Sequence, residues 1–135
     1  MKFKPYYRLL GARDIFNKCE QNEATYRSVI HQSYYASYNQ LVEEIENRLF
    51  YPVDVETKKK SVHKAYLEAC INKQDTLKED HSDYDSLEKI INDLKQLRGF
   101  RAISDYEIKR KVNKSNAELS IILADRIFNA IEKLG

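Results

Sequence analysis

An all-α fold, an antiparallel bundle of about five helices in one domain over residues 1–135, is what this sequence predicts, on three observations. Leu, Ile, Ala, Glu, Lys, Gln and Arg dominate the chain, and these residues lose little on entering a helix. It holds three Gly and two Pro, too few for a sheet protein full of tight turns. Apolar residues recur at spacings of three and four along several long stretches, the period of a helix with one buried face. A chain of 135 residues is long enough to bury a real core.

The elements follow in order. Tyr6 to Glu20 is expected as a first helix, with Pro5 at its opening turn and Leu9, Leu10, Ala12, Ile15, Phe16 and Cys19 on the apolar side. Thr25 to Leu49 is the longest apolar repeat, carried by Tyr26, Ile30, Tyr34, Ser37, Leu41, Ile45 and Leu49. Tyr35, Tyr38 and Val42 widen that stripe, so this helix contacts neighbours on two sides. Tyr51-Pro52 ends it, because proline biases the residue before it away from helix. Thr57 to Lys73 is a third helix with Val62, Ala65, Tyr66, Ala69 and Cys70 inward. Lys58, Lys59 and Lys60 then fall in its first turn, against the helix dipole. Gln74 to Ser82 is polar and connects to a fourth helix that starts near Asp83 to Ser86. Leu87, Ile90, Ile91, Leu94 and Leu97 are its buried stripe, and it runs to Arg101 or beyond. Ser115 with Glu118 has the form of a capping box and opens a last helix, with Ala117, Ile121, Ala124, Ile127, Phe128, Ile131 and Leu134 inward.

Composition also narrows the class. No apolar run approaches the roughly 20 residues that span a bilayer. The opening MKFKPYYRLL has no adequate apolar core or cleavage site for a signal peptide, so a cytoplasmic location without membrane is expected. Cys19 and Cys70 lack metal-ligand spacing and are read as reduced packing residues, a disulfide between them being the alternative. No two histidines share a spacing with a carboxylate that would hold zinc. Neither a metal nor a cofactor is expected. Net charge is only +2, but its distribution is uneven. Asp75 to Asp93 holds seven acidic residues and two lysines, while Lys95 to Lys114 holds seven basic and two acidic residues. The basic segment is either an ordinary solvated surface or a local phosphate-binding surface.

The candidate site lies in Leu94 to Arg110. On a helix, Arg98, Arg101 and Asp105 share one face, and Gly99 between the arginines admits close approach of another backbone. Arg98, Arg101, Lys109, Arg110 and Lys111 are the candidate RNA- or phosphate-binding residues. Cleavage of RNA through its 2′-hydroxyl also needs a proton acceptor and a donor, for which His is suited by a pKa near 6.5. The candidates for that role are Asp105 and His31, the latter one turn from Arg27. An unperturbed Asp is a poor acid at pH 7. An Arg101–Asp105 surface ion pair, a dimer contact, ligand binding and catalysis all stay open. His63 is read as a helix-surface histidine and His81 as a loop histidine. Tyr34, Tyr35 and Tyr38 are read as packing residues, base stacking being the alternative.

Taken together, several motifs resemble the small stand-alone members of the HEPN-domain family. They are Ile30-His31-Gln32-Ser33-Tyr34-Tyr35-Ala36 with Tyr38, then Val62-His63, Leu94 to Arg98, Ser104-Asp105-Tyr106, and Ala124 to Phe128. The resemblance covers nearly the whole chain in the right order. It implies a helical bundle that often pairs into a homodimer; with the apolar faces of the second and fourth helices wider than a monomeric bundle needs, a symmetric homodimer with Arg98–Gly99 near the interface is expected. It also implies a role with RNA or nucleotide, in toxin–antitoxin or antiviral defence modules, beside a partner such as a nucleotidyltransferase or defence enzyme. Many members are metal-independent endoribonucleases with an Arg, four to six residues, then a His. Here six residues separate Arg98 from Asp105, not from a His, and no His follows His81. Gln32 stands where relatives commonly carry Arg. A binding and assembly module is therefore the first expectation, and an RNA-cleaving toxin with a degenerate site is the second.

Overall fold

The computed structural model describes residues 4–106 and 111–135. All regular structure among them is helical: α1 Pro5–Lys18, α2 Glu23–Glu44, α3 Val55–Lys60, α4 Val62–Asp75, α5 Ser82–Tyr106 and α6 Lys114–Glu132. Helix α2 packs against α1, α5 and α6, and α5 packs against α4 and α6. None of the described helices is long and apolar enough to cross a membrane.

Pro5 takes the first position of α1, as its fixed φ favours. Only Leu9, Ala12 and Pro5 are buried there. Leu10 and Cys19 were expected inward but are exposed. The two cysteines are free, Cys19 at the surface and Cys70 in the core, where burial pushes the thiol up to about 12.

Asn22 opens α2 by accepting a hydrogen bond from the Thr25 amide at 2.9 Å. The wide stripe behaves as expected, with Ile30, Tyr34, Ser37, Tyr38 and Leu41 all buried. The helix is extended over Ile45–Leu49 by a π-helical turn. Phe50 then closes it in the left-handed region at φ 54, its amide bonding the Ile45 carbonyl at 2.7 Å.

The single third helix expected over Thr57 to Lys73 is two helices, and Ser61 is the reason. Ser61 is extended, at φ −155. Its amide donates to the Thr57 carbonyl at 2.8 Å, ending α3. Its hydroxyl accepts from the Lys64 amide at 3.3 Å, starting α4. Lys58, Lys59 and Lys60 therefore occupy the last turn of α3, where positive charge suits the dipole. This reverses the expected clash. Val62 is also displaced, facing solvent beside the break instead of the core.

The stripe of α5 is buried as expected at Leu87, Ile90, Ile91, Leu94 and Leu97. Gly99 sits inside this helix, and a Cβ built there meets no atom within 4 Å. No other backbone among the described residues uses the space that glycine leaves. Gly99→Ala is therefore expected to stabilise the isolated chain by about 0.5–1 kcal/mol, read as a higher melting temperature. A lower one that depends on protein concentration, with a loss of dimer in light scattering, would instead place Gly99 at a contact between copies.

Helix α6 begins two residues before the expected box. Asn113 is its cap, accepting from the Asn116 amide at 2.9 Å, and the Asn116 side chain accepts from the Asn113 amide at 3.1 Å. An Asn at the third position thus does what Glu was expected to do, and Ser115 lies inside the first turn. Ala117, Leu123, Ala124, Ile127 and Ile131 complete the core.

Candidate functional site

Three helices converge on a cleft of about 260 Å³. Helix α2 supplies Tyr34 and Tyr38, one turn apart. The start of α4 supplies Ser61, His63 and Lys64, and α5 supplies Arg98 and Arg101. The two arginines face the cleft together because a spacing of three keeps them on one side of α5.

Arg101 is held in place. Its Nε donates to Asp105 Oδ2 at 2.9 Å, and its Nη2 donates to Tyr35 Oη at 3.1 Å. Its guanidinium carbon lies 5.1 Å from the centre of the Tyr34 ring and 5.6 Å from that of Tyr35, within cation–π range. Arg98 differs. It is exposed and makes no hydrogen bond or ion pair with the other described residues. The cleft thus presents one fixed guanidinium and one uncommitted one.

His63 is the unexpected member. Its ring stacks on Tyr38 with centroids 4.5 Å apart and planes at 20°. Its Nδ1 lies 2.9 Å from Tyr34 Oη. Burial, and then the positive charges of Arg101 and Arg98, push its pKa down to about 4, so it is neutral at pH 7. The sequence held a signal for this. His63, Tyr66 and Cys70 are spaced by three and four, so His63 continues the buried stripe of α4. The break at Ser61 hid that register. Tyr38 is fully buried, so its ring builds the wall and cannot stack a base. Its hydroxyl has no hydrogen-bond partner among the described residues, and an unsatisfied buried polar group costs about 1–3 kcal/mol. Burial also raises its pKa.

The remaining candidates among the described residues do not line the cleft. Asp105 stands behind Arg101, also accepting from Ser104 Oγ at 3.3 Å. His31 Nδ1 lies 3.3 Å from the Asp105 oxygen that Arg101 holds, and its ring is 4.6 Å from that of Tyr35. The expected Arg101–Asp105 pair is therefore part of a chain, His31–Asp105–Arg101–Tyr35, that braces the cleft from outside. Arg27 turns to the end of α5, donating to the carbonyls of Ile103 at 3.2 Å and Ser104, and to Glu23 at 2.8 Å. Lys111 lines a separate pocket with Ile30, Phe100 and Val112. Lys109 and Arg110 lie outside the described residues.

This arrangement can bind an anion. Two guanidinium groups and the Lys64 ammonium surround a space that no carboxylate among the described residues lines, and planar donor forks match phosphate oxygens. No family model, curated protein or solved structure matches the chain.

Proposed function

We propose that the chain is a HEPN-type helical module that binds RNA or a nucleotide through phosphate in the cleft between α2, α4 and α5. It works as an assembly module in a toxin–antitoxin or antiviral defence system, as a homodimer or beside an enzyme such as a nucleotidyltransferase. One observation carries this reading: Arg98 and Arg101 open onto one cleft that, among the described residues, no carboxylate lines, with Arg101 already fixed and Arg98 bonded to none of them. Fixing a guanidinium in advance lowers the ordering cost of gripping phosphate.

Titration of labelled single-stranded RNA tests it. Affinity is expected to fall as salt rises, with a logarithmic slope of about −0.7 for each phosphate contact. Absence of binding at low salt would remove the nucleic-acid reading of the isolated chain.

His63 supports a second reading, metal-independent RNA cleavage, because it sets a neutral imidazole beside two guanidiniums. Binding remains the first. A base is most effective with a pKa near the working pH, and that of His63 is near 4. RNA degraded in chelator by the wild type, but not by His63→Ala or Arg98→Ala, would establish cleavage.

A further inference from the structure

A second cleft, of about 610 Å³, opens elsewhere, between α1, α2 and α6. Tyr6 of α1 and Phe128 of α6 meet edge to face there, with centroids 5.7 Å apart. Glu44 of α2 and Glu132 of α6 share the lining. Glu44 is engaged, accepting from Arg48 Nε at 2.6 Å and from Gln40 Nε2 at 3.2 Å. Arg48 also donates to the carbonyls of Ile131, at 2.9 Å, and Leu134, at the C-terminal end of α6, where the helix dipole is negative. The wall already holds one guanidinium of its own chain. Glu132 is exposed and has no ion pair among the described residues, so the lining keeps an uncompensated negative charge beside two aromatic rings. This is the chemistry that takes an organic cation, opposite in sign to the phosphate cleft.

We propose that this cleft receives an arginine or lysine side chain from a segment of a partner protein. The source follows from the surface next to it. Tyr6 and Leu10 lie one turn apart on α1 and remain 42% and 37% exposed. They form an apolar shelf beside the charged pocket. A free amine leaves that shelf uncovered, whereas a peptide with an apolar residue next to its basic one covers both. The basic side chain enters between the Tyr6 and Phe128 rings and Glu132, and its neighbour lies on Leu10.

The test is an NMR titration of the full chain with acetyl-Leu-Arg-Leu-amide. Its neutral isostere, with citrulline for arginine, and agmatine as a free guanidinium are run beside it. The arginine peptide is expected to shift the amides of Tyr6, Phe128, Asn129 and Glu132. Citrulline is expected to weaken binding at least about fivefold, and Glu132→Lys, a change at an exposed residue, to do the same. No shift at these amides, or equal binding of the citrulline peptide, would overturn the site. Agmatine binding as tightly as the arginine peptide would overturn the partner segment as its source.

Discussion

Replacing Arg98 and Arg101 together by Ala is expected to weaken phosphate-dependent binding by about 10²–10⁴-fold, since each charge-assisted hydrogen bond contributes about 1.5–3 kcal/mol. The two positions differ in what else they hold. Arg101 bonds Asp105 and Tyr35, so its loss also loosens the bracing behind the cleft. Arg98 has no such bonds among the described residues and is exposed. Arg98→Ala should therefore leave stability within about 0.5 kcal/mol of the wild type while lowering affinity. Thermal denaturation beside RNA titration separates the two effects. If Arg98→Ala binds as tightly as the wild type, the cleft is not where phosphate sits.

Acidification is expected to destabilise the fold through His63. Its folded-state value, near 4, lies below the ordinary 6.5. Between these values the unfolded chain binds a proton that the folded chain does not. Stability therefore falls as pH drops from about 6.5 towards 4, and this contribution is fully present above that window. The whole shift would correspond to about 3 kcal/mol. His63 is only half-buried, and solvent screening reduces this to about 1–2 kcal/mol. His63→Gln removes the titrating group, so its stability should fall less over this range than that of the wild type. Parallel pH profiles from denaturant titrations would show that His63 does not carry the effect.

Much of the fold was legible because its helices are long and periodic. The stripes of α2, α5 and α6 needed only spacing, and tertiary packing agreed with them. What spacing could not supply was where one residue interrupts a pattern. Ser61 lies within an apparently continuous helical stretch, and its hydroxyl offers the backbone an alternative to the helix. The misplacement of Lys58 to Lys60 and Val62 both followed from that one position. At the other end, Asn113 and Ser115 are comparable caps, and the choice between them rested on an Asn116 side chain that the usual motif does not include.

The site was legible only along single helices. Arg98 with Arg101, and Arg101 with Asp105, are neighbours three and four residues apart, and sequence spacing suffices for such pairs. His63 meets Tyr34 across 29 residues of chain, and His31 meets Asp105 across 74. Such pairings depend on how α2, α4 and α5 dock, which no local pattern encodes. His31 was a reasonable candidate by type and was placed outside the cleft by the direction of its face on α2. His63 reads from the sequence as a surface residue, yet it faces the two arginines.

The division at Ser61 separates two levels of cooperativity. Helix α3 buries none of its residues, and its ties through Lys58 are an exposed pair with Glu46 at 3.6 Å and a contact with the face of the Tyr66 ring, 5.6 Å from its centre, each an interaction of about 0–1 kcal/mol. Helix α4, one residue on, buries Ala65, Tyr66, Leu67, Ala69 and Cys70. Melting α3 uncovers almost no apolar surface, so it costs little and proceeds without the rest of the molecule. Melting α4 opens the core. The amides on the two sides of Ser61 therefore belong to different opening reactions, one local and one close to global. The cleft proposed to bind phosphate has Ser61 in its wall and stands on that boundary, with its arginines and tyrosines on the rigid side.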